Sequence, residues 1–367
     1  MVDLVAARRS ESYGDRVSPA TWKSGIHTDR GNRMKLSLDT IGYGGYFTKD
    51  YEKLSLEEAV RKAAEYGYDA ACIFAHRPLG FPIDFDANRR KKLVDLYKKL
   101  DLEVGAIVCC NNFVDSDHVL VYHTEKEVMY TRQCIDLAAD LGSGIVRVMA
   151  SLWGYFRNPN FNQGYGLPSF ETRSRRVSRG EDFLEAWRTV RDALREVAKY
   201  AQDKGVTLAL QTHPEITGNN DETLQMLEEV GVDSLKVGVD LPLLESYEAE
   251  NVKAIVRKMS DRMVYSHTIS LASFATIGGA PYSWEEVTPG SEHDKLPWET
   301  FITTLQDIGY NGLLSHEQCS PIVVKGHELG TLKDIDERYV DARNYFRKLL
   351  DKHHCYSGNK PLHVKRG

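Results

Sequence analysis

From Met34 onward the chain alternates short apolar runs with longer amphipathic stretches, and it does so eight times. The apolar runs cover 34–40, 69–75, 102–109, 144–150, 206–212, 235–241, 263–269 and 312–318. They are rich in valine, leucine and isoleucine, the pattern of strands buried on both faces. The stretches between them carry helical spacing and helix-end signals. The segment 55–67 opens on Ser55 with Glu58 three residues later, a capping box, and several others end on glycine. Eight strand–helix units imply a parallel sheet long enough to close on itself. The predicted fold class is therefore α/β, a (β/α)8 TIM barrel over residues 34–353. An open doubly wound sheet is the alternative, but no GxGxxG follows the first strand. Residues 1–33 read as a polar N-terminal extension and 354–367 as a C-terminal tail.

Two connections are too long to be simple βα turns. One runs from Ser151 to about Arg179 after the fourth strand and carries Trp153, Tyr155, Phe156, Tyr165 and Phe170. The other runs from about Leu271 to Pro297 after the seventh and carries Phe274, Tyr282 and Trp284. Both leave the strand ends where barrel active sites lie, so lids or interface arms are expected there.

Composition removes several classes. A net charge of -6 argues against a dedicated nucleic-acid binder, which would show a basic face. No run of about 18 apolar residues is present, so no membrane span is expected. The N-terminus lacks the apolar stretch of a signal peptide. The six cysteines contain no CxxC pair, which predicts reduced thiols and a cytoplasmic protein.

The chemistry gathers at the ends of the last four strands. The fifth ends in Gln211 and His213, the sixth in Asp240, the seventh in His267 and the eighth in Glu317. Gln211, Asp240 and His267 are 29 and 27 residues apart, close to one βα unit of about 30. The longer step to Glu317 contains the second long loop. Any one of these residues alone reads as a helix cap or a satisfied core group. Four of them at the same place in consecutive units converge on the barrel axis, where buried charge is costly unless paired or metal-bound. An amide oxygen, two carboxylates and an imidazole suit one divalent metal, Mn²⁺ foremost, then Mg²⁺, Co²⁺ or Zn²⁺. Gln211, Asp240, His267 and Glu317 are the predicted ligands.

The segments LALQTHPEITGNNDETLQMLEEVGVDSLKVGVDLP, VYSHT and YNGLLSHEQCSP resemble the xylose-isomerase-like TIM-barrel superfamily. That group includes sugar phosphate isomerases/epimerases, ketose 3-epimerases, hydroxypyruvate isomerase, inosose dehydratase and C-glycoside deglycosidase catalytic subunits. The resemblance implies a sugar or keto-sugar substrate, and Asp240, His267 and Glu317 match the family's metal ligands. It also implies either a homo-oligomer or a hetero-oligomer with a smaller partner chain. Gln211 stands where the family has a glutamate that shares proton transfer with the strand-eight glutamate. An amide can ligate through its oxygen but is no base near neutral pH. That leaves Glu317 and His213 as the predicted catalytic residues. His213 lies two positions beyond Gln211 and so on the same side of the strand.

His76, Arg147, Trp153 and Tyr43 are the expected substrate contacts, with Asp39 and Tyr46 as further candidates after the first strand. The run Arg173, Arg175, Arg176 and Arg179 reads as a solvated helix lead-in. The expected chemistry is metal-assisted proton abstraction beside a carbonyl. Isomerisation, epimerisation and elimination of an aglycone from a 3-keto sugar share that first step and remain open. A DNA-repair nuclease on the same barrel needs a richer histidine and acidic set than this. A non-catalytic sugar-binding barrel is the remaining alternative.

Overall fold

Each of the eight apolar runs becomes a short parallel strand, and the strands close into a barrel. The computed structural model describes residues 33–114, 123–151, 183–213, 216–244, 246–277, 280–324 and 328–361. The first seven barrel strands are β1 (Lys35–Asp39), β2 (Ala70–Phe74), β3 (Glu103–Val108), β4 (Ile145–Met149), β5 (Thr207–Gln211), β6 (Leu235–Gly238) and β7 (Met263–His267). A hairpin of β8 (Ser270–Ile277) and β9 (Ala280–Val287) intervenes before the last barrel strand, β10 (Leu313–His316). The ring runs β1-β10-β7-β6-β5-β4-β3-β2, with β1 paired to β10 and to β2. A small ribbon, β11 (Val323–Val324) and β12 (Glu328–Leu329), lies beyond it.

The helices are α1 (Leu56–Glu65), α2 (Ala87–Lys99), α3 (His123–Leu141), α4 (Phe183–Lys204), α5 (Asn220–Val230), α6 (Ala249–Met259), α7 (Trp298–Asp307) and α8 (Leu332–Lys352). The predicted capping box holds: the Glu58 amide donates to Ser55 Oγ and the Ser55 amide to Glu58 Oε2 at 2.8 Å. Helix α5 ends on Gly231 at φ 64°, the left-handed stop that glycine adopts without a Cβ penalty. Between strands and helices lies one large apolar layer, including Leu38, Ile107, Val146, Leu208 and Phe301, each fully or almost fully buried. Each such side chain contributes about 1.5–3 kcal/mol on burial. Inside the barrel Gly105 leaves room for its neighbour, because a Cβ there would sit 2.6 Å from Cys72 Sγ and one of the two would have to shift.

Two segments differ from expectation. The connection after β7, predicted as a loop, is largely the β8–β9 hairpin, with Gly278 and Gly279 between its strands in the sequence. Antiparallel pairing supplies its backbone groups with partners that a free loop of this length would lack. Past α8, the chain runs back beside β1. The Met34 amide donates to the Cys355 carbonyl at 2.7 Å, the Ser357 amide to the Met34 carbonyl at 2.9 Å, and Tyr356 Oη to Asp69 at 2.7 Å. No helix among the described residues is long and apolar enough to cross a membrane. All six cysteines are free.

Candidate active site

Strands β5, β6, β7 and β10 deliver their terminal polar residues to one point at the C-terminal mouth. Gln211, Asp240, His267 and Glu317 are all buried there. His267 Nδ1 lies 3.3 Å from Glu317 Oε2, 3.5 Å from Asp240 Oδ2 and 3.1 Å from the Gln211 amide nitrogen. The same amide donates to Asp240 Oδ2, and Asp240 Oδ1 accepts the His267 backbone N–H at 2.7 Å. The structure thus brings the four predicted ligands together.

A fifth group joins them that sequence reasoning had placed against the sugar. Asp39, the last residue of β1, is fully buried with Oδ2 3.4 Å from His267 Nε2. Asp39, His267 and Glu317 form a trio of donors close enough to share one ion. Tyr265 Oη also reaches His267 Nε2, at 3.0 Å. Its place was legible in principle, since residues i and i+2 of a strand share a face.

The donor set fits a divalent cation on two grounds. Asp39, Asp240 and Glu317 bring three carboxylates against one guanidinium, that of Arg147, with all four groups buried. Such an excess of buried charge is costly without a counter-charge. Burial acts to lower His267, yet Glu317 and Asp240 outweigh it and push the imidazole up to about 10, so the spot calls for positive charge. An orphaned atom points the same way: Gln211 Oε1 is buried without a hydrogen-bond partner among the described residues. A half-turn of the Gln211 carbamoyl group would present its oxygen to the space beside His267 Nδ1.

Beside these residues lies a cavity of about 840 Å³. Gln211, His213, Asp240 and Glu317 line its polar end, while Ile41, Phe47, Phe74, Phe81, Leu243 and Ile269 make much of the rest apolar. Burial and the Arg147 guanidinium push His213 down to about 3, so it is a neutral imidazole at physiological pH. His76 also lines the wall. Its Nε2 accepts the Cys110 N–H at 3.3 Å and lies 2.9 Å from Tyr130 Oη. Burial, then Arg147, lowers His76 to about 4. A backbone N–H can only donate, so the proton of neutral His76 sits on Nδ1.

Two expected substrate contacts come out differently. Tyr43 is fully buried, packs on Tyr339 and spends its hydroxyl on Asp336 at 2.8 Å, away from the cavity. Tyr46 lines the wall in its stead. Its chain neighbours Gly44 and Gly45 follow the short helical turn Thr40–Tyr43, which faces Tyr43 inward. Arg147 does not line the cavity either; its guanidinium donates to Glu317 Oε1 at 3.2 Å and to the Cys109 carbonyl at 2.6 Å. A charge inside a barrel strand needs such partners, and they leave it behind Glu317. Trp153 and the arginine run 173–179 lie outside the described residues.

Glu286 at the end of β9 escaped sequence reasoning altogether. Its Oε2 accepts from the Cys319 amide at 3.2 Å and from Ser320 Oγ at 2.9 Å, fixing the turn that follows Glu317. Burial pushes this carboxyl up to about 8.

Comparison with known proteins agrees with this architecture. The profile described as xylose isomerase-like TIM barrel matches residues 60–349, and the chain belongs to that family. Among curated proteins, fructoselysine 3-epimerase of Shigella flexneri is 24% identical over 274 residues, covering 73% of this chain and 87% of the relative. Among solved structures, 3-keto-D-glucoside 4-epimerase from E. coli superposes with a TM-score of 0.60 at 14% identity, covering 85% of this chain and 99% of the other. D-allulose 3-epimerase from Methylomonas sp. gives 0.57 at 17% identity, covering 87% and 99%.

Proposed function

We propose that this protein is a divalent-metal-dependent sugar isomerase or epimerase that removes a proton next to a carbonyl. The observation that carries the reading is the convergence of Gln211, Asp240, His267 and Glu317 at one end of a substrate-sized cavity. The epimerase relatives support a sugar substrate. Gln211, Asp240, His267 and Glu317 would hold the ion, with Mn²⁺ the first choice for a mixed O/N set. When bound, it supplies positive charge that stabilises the enediolate oxygen.

The chain's own residues do the rest. Glu317 and His213 both line the polar end, and these two move the proton. Arg147 orients Glu317 through its 3.2 Å contact. Gln211 cannot carry a proton at neutral pH, so a symmetric two-carboxylate exchange is replaced by a carboxylate and an imidazole. His76 offers its Nδ1–H to a substrate oxygen. Six free thiols suit a reducing compartment, in keeping with a cytoplasmic enzyme.

A second reading draws on the apolar side of the cavity. Its volume exceeds what a hexose fills, and Phe47, Phe74 and Phe81 would suit an apolar substituent on the sugar. Elimination of an aglycone from a 3-keto glycoside, with or without a smaller partner chain, uses the same first proton transfer. Both readings are tested by incubating Mn²⁺-loaded protein in D₂O with simple ketoses and with 3-keto glycosides. Deuterium incorporation at the carbon beside the carbonyl is expected, and His213→Ala is expected to slow it about 10²-fold. No exchange on any substrate returns the chain to a sugar-binding role. Aglycone release without epimer formation selects elimination.

A further inference from the structure

His267 is held along both edges of its ring, and the two edges are built differently. The Nδ1 edge faces Gln211, Asp240 and Glu317. The Nε2 edge faces Tyr265 and Asp39, at 3.0 and 3.4 Å. We infer that Asp39 holds the proton on His267 Nε2 and thereby aims the Nδ1 lone pair at the Gln211–Asp240–Glu317 donors. It would be a positioning residue of the site, neither a ligand nor a sugar contact. The inference rests on the metal-site reading above.

Three observations carry it. First, Gln211, Asp240 and Glu317 all lie on the Nδ1 edge, at 3.1, 3.5 and 3.3 Å, so Nδ1 is the nitrogen that meets an ion they share and the remaining ring proton belongs on Nε2. Second, Asp39 already uses Oδ1 to cap the Ile41 amide at 3.0 Å, while Oδ2 is buried and has no other partner among the described residues. A buried carboxylate oxygen needs a donor, and the Nε2–H is the one beside it. Third, the lone pairs of the two ring nitrogens diverge, so one ion cannot touch both. An ion bound between Asp39 and Nε2 would leave Gln211 and Asp240 across the ring, outside its coordination sphere. Carboxylates behind a ligating imidazole fix its tautomer and raise its basicity, and their loss weakens metal binding about 10–100-fold. Tyr265 cannot replace Asp39 in this role, because it is neutral and its hydroxyl also contacts Cys72 Sγ.

The test is titration of metal-stripped protein with Mn²⁺ by calorimetry, and with Co²⁺ by visible absorption. Asp39→Ala is expected to weaken Mn²⁺ binding about 10–100-fold, with an unchanged d–d spectrum at saturating Co²⁺. Tyr265→Phe is expected to weaken it by less than about threefold, as one neutral hydrogen bond would. Asp39→Asn is nearly isosteric and keeps one acceptor oxygen, enough for either the Ile41 amide or Nε2–H but not both, so it serves if the alanine variant does not fold. It should fall between wild type and alanine. Mn²⁺ affinity unchanged in both Asp39 variants overturns the inference. A shifted Co²⁺ spectrum also overturns it, by making Asp39 a ligand. If wild-type protein binds neither ion, the metal-site reading itself falls and this one with it.

Discussion

Among the described residues, buried polar groups at the N-terminal end of the barrel find partners, whereas at the C-terminal mouth some have none. Arg343 shows the first case. It is 1% exposed and gives its guanidinium to the Gly67 carbonyl at 2.8 Å and the Lys360 carbonyl at 3.3 Å. Asp69 accepts the Leu36 amide and the Tyr356 hydroxyl, stitching the returning chain to β1. The mouth shows the second, with Gln211 Oε1 orphaned among the described residues amid the carboxylates of Asp39, Asp240 and Glu317. The bottom end is arranged for stability. The mouth keeps unsatisfied groups in place because the rest of the fold holds them there.

Removing Asp240 should separate the two ends most sharply. Asp240→Ala is expected to cut turnover about 10³-fold, matching the several kcal/mol of transition-state charge stabilisation that a bound cation provides. Steady-state kinetics with metal analysis checks this, and full activity in the variant would refute the site. Arg343→Ala should do the reverse. It removes a buried guanidinium and its hydrogen bonds to the half-buried Gly67 and Lys360 carbonyls, and is expected to lower unfolding free energy by about 2–3 kcal/mol while leaving turnover per folded molecule intact. Urea unfolding at fixed pH measures it, and an equal loss of activity would erase the contrast.

The smallest effect concerns acid. His76 has a folded-state value of about 4, against about 6.5 in the unfolded chain. Between those values the unfolded chain binds the extra proton. Its contribution is therefore fully present above about pH 6.5 and lost as pH falls toward 4. The slope is at most one proton, about 1.4 kcal/mol per pH unit. His76→Gln should flatten the fall of unfolding free energy in that window. A slope identical to wild type would show that His76 does not drive it.

Much of the barrel was legible because strands buried on both faces must be apolar and must recur at unit spacing. The predicted run 206–212 holds the strand Thr207–Gln211, and 144–150 holds Ile145–Met149. The hairpin after β7 was not legible, since length alone marked it as a loop and its pairing depends on two strands finding each other. The ligand set could be proposed from spacing because a barrel sends every strand end toward one axis. Tyr43 and Arg147 could not be placed, because a residue's strand position says little about which neighbour its polar atom will choose.

The amino-acid order by itself determined the periodicity, the strand count, and the concentration of Gln211, Asp240, His267 and Glu317 at strand ends. These are local or periodic properties, readable along one dimension. Tertiary structure alone decided which nitrogen of His267 faces which carboxylate, and it alone brought Asp39 and Glu286 to the mouth. Contacts between residues far apart in the chain depend on how closed strands stack and where buried charge finds a partner, and no linear spacing encodes either.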